Sequence, residues 1–460
     1  MTRSNLTLAE RDVQHVVHAF TNLAGLKTQP PIPIVAGRGI YIIDDQGQEY
    51  IEGCAGMWCA SLGFSEGALI DAAIEQFRKL PYYHSFVDKT VPPLAELAEK
   101  LCALAPPSVS HAFVCNSGSE ANDTLIKLIW YYNNAKGRPK KKKIVSRENG
   151  FHGLTVAASS LTGIPVMHAD FDLPLPGFLK TDLPHHYRRA RPGESEEDFA
   201  TRLAESLDAL IRREGAETVA AFVAEPVMGA GGVIVPPRGY FAKIEAVLKA
   251  HDVLMVADEV ITGFGRTGTM FACESFGIHP DAVTVAKALS SAYQPIAAVL
   301  ISDAIYQALV AESGKLGFFA HGFTTGGHPV AAAVALRTLE LMEERDIVGH
   351  VRRVSPAFAD GLRRFLDHPL VGEVRGMGLM GAIEIVADKA SKAPFPPGLK
   401  VKERVRLACQ KRGLIVRACT GGDSFAFAPP LIITEAEIAE MFRRFRAGLD
   451  EVAGELERAG

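Results

Sequence analysis

The sequence predicts an α/β protein with a large domain, in which helices flank a mostly parallel central sheet, and a smaller α+β domain formed by both termini. The middle of the chain alternates short apolar runs with helical stretches, which is typical of a parallel sheet covered on both faces. The last third combines long Ala- and Leu-rich helices with a strand-like run. We expect an N-terminal arm and part of the small domain in residues 1–64, the large domain in 65–325, and the C-terminal small domain in 326–460.

Apolar runs of the length usual for buried strands predict the strands of the large domain. They lie at residues 111–115, 143–146, 219–224, 253–257, 282–286 and 297–301. The helical stretches between them lie at residues 120–133, 197–213 and 240–250. The last third is predicted to contain helices at 330–343, 351–366 and 435–449 and a strand at 378–386.

The composition excludes several classes of function. The formal net charge is −4, from 49 basic and 53 acidic residues, so no basic surplus points to nucleic acid. No uninterrupted apolar stretch is long enough for a membrane span, and the N-terminus lacks the pattern of a secretory signal. The seven cysteines are scattered, without a CxxC pair or a Cys/His cluster, which favours reduced thiols in a cytoplasmic protein without a metal site.

Two serines and a glycine at a predicted helix start form a candidate phosphate site. The segment NSGSEAND, which contains Ser117, Gly118 and Ser119, follows the apolar run HAFVC and opens a helix. Free backbone amides, hydroxyl groups and the positive end of the helix dipole favour phosphate binding at such a place. The alternative interpretation is an ordinary helix cap, for which serine is common.

Asp258 lies at the end of the predicted strand VLMVA, at the edge where open α/β sheets bind their ligands. A carboxylate there is suited to hold a cationic ring nitrogen, to bind a metal or to cap a helix. The adjoining segment GFGRTG offers no obvious further metal ligands. Its glycines are a weak indication of dinucleotide binding, because they lack the strand–turn–helix arrangement of that motif.

Lys287 follows the apolar run DAVTVA and precedes small residues, so we expect it to be partly buried. Burial lowers the pKa of an amine because it disfavours the charged form. A neutral amine is what Schiff-base chemistry requires. The alternative interpretation is a structural lysine at the sheet edge that extends its charge into solvent.

A second candidate phosphate contact is Thr324, in the small-residue turn GFTTGGHP that precedes a predicted helix. Taken alone, this turn is better explained as a plain helix cap. Together, the four places fit one ligand, which has a phosphate, a ring nitrogen that needs an acid, and an aldehyde that needs an amine. Pyridoxal phosphate has these groups, and a lysine with a paired aspartate is the motif of its enzymes.

Longer motifs resemble those of a known family. In the family's order they are NSGSEAND, FVAEPVMGAGGVIVPP, VADEVITGFGRTG, AKALSSAYQPIAAV and HGFTTGGHP, with MWCASLGF near the start and GLIVRACTGG near the end. The chain resembles class III aminotransferases of pyridoxal phosphate fold type I, and most of all the ω-amino acid:pyruvate and amine:pyruvate transaminases. The resemblance covers nearly the whole chain and implies the same fold, cofactor and type of reaction.

The resemblance implies roles for residues around the cofactor. Lys287 matches the lysine that forms the Schiff base and moves the proton between the substrate Cα and the cofactor. Asp258 matches the aspartate that pairs with the pyridinium nitrogen, and Val260 matches a residue packed against one ring face. Glu225 matches an acid near the cofactor, for which the alternative is a purely structural acid at a strand end.

The phosphate contacts implied by the resemblance come from two subunits. Ser117, Gly118 and Ser119 match the family's phosphate-binding residues. Thr324 matches a threonine that reaches the phosphate from the neighbouring subunit. The resemblance therefore implies a homodimer in which the active sites are shared.

One position departs from the family pattern. The usual tyrosine of the YHG motif is Phe151 in this chain, which keeps the stacking face but lacks the hydroxyl group. His152 follows it in the cofactor site, and a role as general base is disfavoured because Lys287 already performs that work. Four further side chains match positions of the substrate pocket, where the alternative for the aromatic ones is simple packing: Trp58, Phe86, Phe20 and Val166.

Arg417 follows the strand-like run GLIV and matches an arginine that binds a substrate carboxylate and moves aside when the substrate carries none. Its planar guanidinium suits bidentate binding of a carboxylate. The implied reaction is a two-step, ping-pong transfer of an amino group from an amine or ω-amino acid to a keto acid, with pyruvate as the expected acceptor. Decarboxylation, racemisation and aminomutation by the same cofactor stay alternatives, and the natural donor is left open.

Overall fold

The computed structural model describes residues 6–459, so the first five residues of the predicted N-terminal arm lie outside the described part. A short helix precedes a small antiparallel ribbon, in which the second strand pairs with the first and the third. The strands of this ribbon are β1 (Ile34–Arg38), β2 (Tyr41–Asp44) and β3 (Glu49–Glu52).

Within residues 6–459, the central sheet has seven strands in the order β4-β10-β9-β8-β7-β5-β6. Its strands are β4 (His111–Cys115), β5 (Lys143–Arg147), β6 (Phe178–Thr181), β7 (Val219–Ala224), β8 (Leu254–Asp258), β9 (Ala282–Val285) and β10 (Ala297–Ile301). Five neighbouring strands pair in parallel, in the order β6, β5, β7, β8 and β9. β10 runs antiparallel to both β9 and β4.

The prediction of a mostly parallel central sheet is confirmed. Every residue of β7 is buried, which is why this strand reads as a continuous apolar run. In the central sheet, the strand that the sequence did not reveal is β6, whose residues FLKT are half-buried at Leu179 and Lys180 because the strand lies at the sheet edge. A partly exposed edge strand has no need of a continuous apolar run, and β6 therefore gave no such signal.

A third sheet is built from the last part of the chain, in the order β11-β12-β15-β14. The remaining strands are β11 (Val371–Met377), β12 (Met380–Ile385), β13 (Leu414–Ile415), β14 (Arg417–Ala418) and β15 (Ser424–Phe427). β13 pairs in parallel with β3, so the N-terminal ribbon and the C-terminal segment share one sheet. The boundaries at residues 64/65 and 325/326 stay a prediction.

The helices cover both faces of the central sheet and the outer side of the small sheets. They are α1 (Leu8–His15), α2 (Ala55–Trp58), α3 (Gly67–Lys79), α4 (Pro92–Leu104), α5 (Gly118–Ala135), α6 (Val156–Leu161), α7 (His186–Arg189), α8 (Glu196–Glu214), α9 (Tyr240–Ala250), α10 (Ala272–Phe276), α11 (Asp303–Leu316), α12 (Pro329–Glu344), α13 (Ile347–Arg363), α14 (Val401–Lys411) and α15 (Glu435–Ala459). Among residues 6–459, no helix combines the length and the apolar character that a membrane span needs.

The predicted helices are present, with differences at their ends that are largest for the last helix. The helix predicted at 351–366 begins at Ile347 in α13, because the side chain of Asp346 caps it by accepting from the amide of Gly349. The helix predicted at 435–449 continues to Ala459 in α15. The sequence between 345 and 351 contains a glycine and a histidine, which obscured the helix start.

The strand ends bring the polar residues of interest to one edge of the central sheet. Asp258 ends β8, Glu225 follows β7, and Lys287 comes two residues after β9. β4 runs in the same direction as β9, since both are antiparallel to β10, so Ser117 follows β4 at the same edge. This is the edge at which doubly wound sheets bind ligands.

Candidate active site

Asp258 is buried and held by three hydrogen bonds at the end of β8. Its Oδ2 accepts from His152 Nδ1 at 2.7 Å and from Asn122 Nδ2 at 3.0 Å, and its Oδ1 accepts from the Val260 amide at 3.1 Å. Burial raises the pKa of Asp258, but these donors outweigh it, so the pKa lies below the usual range for an aspartate. The side chain is therefore anionic at neutral pH.

Lys287 opens a short 3-10 turn, and its side-chain amine has no hydrogen bond or ion pair with any residue in 6–459. Its backbone has φ +48°, an unfavourable conformation for a side chain of this size, which is found mostly where surrounding structure imposes it. Burial lowers the pKa of its amine, although Cys59, Asp258 and Glu225 act in the opposite direction. A neutral amine at the sheet edge is the group that Schiff-base chemistry needs.

Glu225 is buried beside the same cluster. Its two carboxylate oxygens accept from the amide of Phe151 at 3.0 Å and from the amide of Gly229 at 2.8 Å. Burial raises the pKa of Glu225, and the neighbouring His152 offsets this only in part. Glu225 thus fixes the backbone at Phe151, which agrees with the structural alternative considered for it.

The start of α5 leaves backbone amides free beside the strand ends. Ser117 caps the helix by accepting from the Glu120 amide at 3.2 Å. The amides of Gly118 and Ser119 have no acceptor among the described residues, and they point from the start of an 18-residue helix. A Cβ at position 118 would lie 3.2 Å from a methyl group of Val260, so glycine lets the strand end and the helix start lie close together.

The segment 151–153 packs against this helix start. The Leu154 amide donates to Ser119 Oγ at 3.0 Å. Gly153 has φ +129°, and a Cβ there would lie 2.6 Å from Ser119 Oγ, so glycine is required. His152, next to Gly153, is fixed by donating to Asp258.

The predicted pocket residues of this chain fall into two groups. Phe20 lies against Phe151, with ring centroids 6.3 Å apart, and Trp58 is buried at the end of α2. Val166 lies in an exposed 3-10 turn, Pro165–Met167.

Phe86 and Thr324 form the second group, on an exposed surface. The Tyr82 hydroxyl donates to the Thr324 carbonyl at 2.8 Å, and the Phe86 ring packs against Gly322. Phe86 and Thr324 therefore lie close together on one surface of the chain. Neither of these contacts involves Lys287 or Asp258.

Arg417 on β14 lies close enough to Lys287 to lower the pKa of its amine. One guanidinium nitrogen contacts the thioether of Met57, and Nε is buried without an acceptor among the described residues. The structure therefore places near the lysine a guanidinium that has no carboxylate partner in residues 6–459, and its role in substrate binding stays a prediction.

Several residues of the site were missed in the sequence, namely Asn122, Met57, Cys59 and Glu52. Asn122 lies four residues after Gly118, so helix periodicity was a usable signal that it faces the strand ends. Met57 and Cys59 flank Trp58 in the MWCASLGF motif. Glu52 gave no signal, because its burial results from pairing between distant parts of the chain.

Glu52 provides a pH-dependent prediction. One oxygen accepts from the Cys54 amide at 3.1 Å, while the other is buried without a partner among the described residues. Burial raises its pKa from 4.5 to about 7. The unfolded chain releases this proton near pH 4.5 and the folded chain near pH 7, so the contribution to stability is full below the first value and is lost as pH rises to the second.

We expect Glu52→Gln to remove this dependence. Between about pH 5 and pH 8, the free energy of unfolding of the unchanged protein should fall relative to that of the variant by about 2 to 3 kcal/mol. Urea unfolding at both pH values measures this difference. Glu49→Gln, on the exposed face of the same strand, is the matched control, and an equal effect in both variants would contradict the assignment.

A second cluster of a histidine and two glutamates lies away from the edge of the central sheet that carries Lys287. Its spacing would suit a metal ion, but neighbouring arginines already balance the charge of its carboxylates. His185, Glu373 and Glu384 present ligand atoms within 4.8 Å of one another. Arg375 contacts both glutamates at 2.5 Å, and Arg188 pairs with Glu384. The cluster is an ion-pair network that joins the segment after β6 to the C-terminal sheet, and the arginines supply the charge that a cation would bring.

The mostly parallel sheet carries a lysine, an anionic aspartate and a helix start with free amides at one edge. This arrangement is typical of pyridoxal-phosphate-dependent enzymes of fold type I. The chain belongs to the class III aminotransferases, since the family model "Aminotransferase class-III" matches residues 24–449. Pyridoxal phosphate is accordingly its cofactor, and the other pyridoxal-phosphate chemistries are not favoured.

Three relatives illustrate the similarity. The ω-transaminase from Pseudomonas jessenii in complex with PMP is 51% identical, has a TM-score of 0.97, and the match covers 99% of this chain and 100% of that one. A thermostable ω-transaminase variant, W58M/F86L/R417L, engineered for asymmetric synthesis of enantiopure bulky amines, is 50% identical, with a TM-score of 0.96 and coverage of 97% and 99%. The mitochondrial gamma aminobutyrate transaminase 1 of Solanum lycopersicum is 49% identical over 93% of this chain and 83% of its own length.

Proposed function

We propose that this aminotransferase is an ω-transaminase that moves an amino group from an amine or ω-amino acid to a keto acid, with pyruvate as the acceptor, in two half-reactions. The observation that carries the proposal is that two side chains without partners lie near each other. Lys287 has an unpartnered amine with a lowered pKa, and Arg417 has a guanidinium without a carboxylate partner. The first suits amine chemistry, and the second suits the carboxylate of a keto acid.

The residues at the sheet edge fit the cofactor. We propose that the free amides at Gly118 and Ser119 bind its phosphate, that Asp258 pairs with its ring nitrogen, and that Val260 and Phe151 cover its two faces. When bound, pyridoxal phosphate supplies an aldehyde for the amine and a ring that accepts electrons from the substrate carbon. The lowered pKa of Asp258 supports a carboxylate that keeps a proton on that ring nitrogen.

The protein's own groups then perform the proton transfer. Lys287, once its amine is free, would take a proton from the substrate Cα and deliver it to the carbon on the other side of the substrate nitrogen. Its lowered pKa suits this work, because a base must be unprotonated near neutral pH. His152 and Asn122 act on Asp258 by donating to it, and they hold the carboxylate in place.

The substrate pocket is proposed to lie between Arg417 and the aromatic side chains Trp58, Phe20 and Phe151. The engineered ω-transaminase variant described above is changed at W58, F86 and R417, and this chain carries the same residue types at the same numbers. This agreement supports Trp58, Phe86 and Arg417 as pocket residues. Val166, exposed in its turn, is proposed to border the entrance.

We propose that a second copy of the chain completes each site. Thr324 and Phe86 lie together on an exposed surface, beside Tyr82, and their roles at the phosphate and in the pocket require that surface to face another subunit. A homodimer of this kind would supply both residues to the neighbouring site. The free state of all seven cysteines supports a reducing, cytoplasmic location, and the boundaries 1–64, 65–325 and 326–460 are kept as the proposed domain division.

A donor screen tests the function directly. The purified protein with pyridoxal phosphate is given pyruvate and one donor at a time: β-alanine, 4-aminobutyrate, a diamine, taurine or an arylalkyl amine of either hand. We expect alanine to form with at least one donor, and the visible absorbance of the bound cofactor to shift when that donor is added alone, as two separate half-reactions require.

The same assay separates the alternatives. Racemisation or aminomutation would convert a donor without forming alanine, and decarboxylation would release carbon dioxide. Conversion of every active donor without net transfer to any keto acid would contradict the proposal. A preference for the (S) amine is expected from the resemblance.

A further inference from the structure

The segment α2, which ends at Trp58, has an unusual backbone and is not an ordinary right-handed helix. Ala55, Gly56, Met57 and Trp58 have φ values of +47°, +54°, +77° and +69°, so four successive residues form one left-handed turn. Hydrogen bonds from the Trp58 amide to the Cys54 carbonyl at 2.7 Å and from the Cys59 amide to the Ala55 carbonyl at 2.9 Å close it. For residues other than glycine this conformation costs roughly 1–2 kcal/mol each.

The turn is held at its ends and projects at its middle. Ala55 and Trp58 are buried, so packing fixes them, whereas 47% of Met57 is exposed. Strained backbone of this kind persists where the surrounding structure imposes it and is concentrated at functional sites. The consequence of the strain here is the direction of the Met57 side chain, whose thioether contacts a guanidinium nitrogen of Arg417.

Arg417 lacks the carboxylate partner that most arginines of this chain have. It forms no ion pair with any residue in 6–459, and its buried Nε has no acceptor there. Glu52, a buried acid at the end of β3 just before the turn, has an unpartnered oxygen that lies beside Gly56 and accepts nothing from Arg417. Met57 therefore supplies the one acceptor that the described residues offer to this guanidinium.

The chemistry of that acceptor matters. A thioether sulfur is neutral and a weak acceptor, whereas a carboxylate binds a guanidinium by strong, charge-assisted hydrogen bonds. The thiols of Cys54 and Cys419, which also face Arg417, are buried, and burial raises their pKa, so they add no negative charge. A substrate carboxylate consequently meets a guanidinium that is oriented but not neutralised.

We propose that Met57 is a specificity-determining residue, which orients Arg417 in the pocket through a weak contact that a substrate carboxylate displaces. This inference rests on the proposed function, in which Arg417 binds the carboxylate of the acceptor. Met57 acts through Arg417 and does not itself touch the reacting atoms. The strength of its side chain as an acceptor then sets how well carboxylate substrates compete for the guanidinium.

Two substitutions change that strength in opposite directions. Met57→Gln puts a stronger neutral acceptor, an amide carbonyl, at the same length of side chain. Met57→Leu keeps a similar volume but removes the acceptor. We expect Met57→Gln to raise the KM for pyruvate and the Kd for propionate, an unreactive carboxylate, by about tenfold, and to raise the KM for an arylalkyl amine much less.

The decisive measurement is a double-mutant cycle with Arg417→Leu. If Met57 acts through Arg417, the effects of Met57→Gln and Met57→Leu on propionate binding, measured by calorimetry on the holoenzyme, disappear in the Arg417→Leu background. Equal effects in both backgrounds would overturn the proposal, as would an equal rise in KM for amine and for pyruvate. Unchanged propionate binding in both single variants would overturn it as well.

Two controls separate a general disturbance from the proposed contact. Ile70→Gln, on α3, places a glutamine at a side chain that is also 47% exposed but lies outside the site, and it should leave propionate binding unchanged. Melting temperatures identify a variant that folds poorly, and Met57→Leu then still decides the cycle. If the unchanged enzyme forms no alanine from pyruvate, the proposed function fails, whereas normal transfer with an additive cycle refutes the role of Met57 alone.

Discussion

Replacement of Lys287 by alanine is expected to lower the rate of amino transfer roughly 10⁴-fold. The amine is the group in this chain that combines burial, a lowered pKa and the absence of any partner among the described residues. Without it, no other side chain at the sheet edge is placed to take a proton from the substrate carbon, because His152 is already bound to Asp258. Alanine formed from pyruvate measures the rate, and the visible absorbance of the cofactor reports whether it still attaches.

A second partly buried lysine provides the matched control. Lys180 lies on β6, at the far edge of the sheet, where burial lowers its pKa to about 8 and its amine donates to the Ser160 carbonyl at 2.8 Å. Lys180→Ala removes a buried amine without touching the site, so its transfer rate should stay close to normal. A Lys287→Ala protein that turns over at the normal rate, or an equal loss in both variants, would refute the assignment.

The sequence was informative about the site wherever a motif follows a strand. Lys287, Asp258 and Ser117 could be predicted because parallel strands of one sheet end at the same edge, so residues after successive strands converge. The structure adds what this rule does not contain. The hydrogen bond from His152 to Asp258, which helps to keep the carboxylate anionic, is one such feature, and the cofactor contact of His152 stays a prediction.

Other features depend on contacts between distant segments and left little trace in the sequence. The left-handed turn before Trp58 arises from packing, since neither Ala55 nor Met57 favours that conformation. The burial of Glu52 depends on the pairing of β3 with β13, more than 360 positions along the chain. The shared surface of Phe86 and Thr324 likewise appears when two distant loops meet.

The pairing of Asp258 with two donors leads to the second large prediction. Asp258→Asn keeps the size of the side chain but removes its negative charge. The Nδ1–H of His152 and the amide of Asn122 then lose the anion that they are arranged to bind. A neutral amide no longer stabilises a proton on the ring nitrogen. We expect the rate of amino transfer to fall roughly 10³-fold, the range found when a preorganised electrostatic partner is removed.

The same substitution at the opposite edge of the sheet is the control. Asp281 precedes β9, and its carboxylate accepts from the amide of Met255 at 2.9 Å, near the start of β8. Asp281→Asn thus changes a partly buried aspartate on the same pair of strands, away from Lys287. We expect it to affect the melting temperature more than the transfer rate. An Asp258→Asn enzyme with a normal rate, or an equal loss of rate in Asp281→Asn, would show that position 258 acts through the fold and not through its charge.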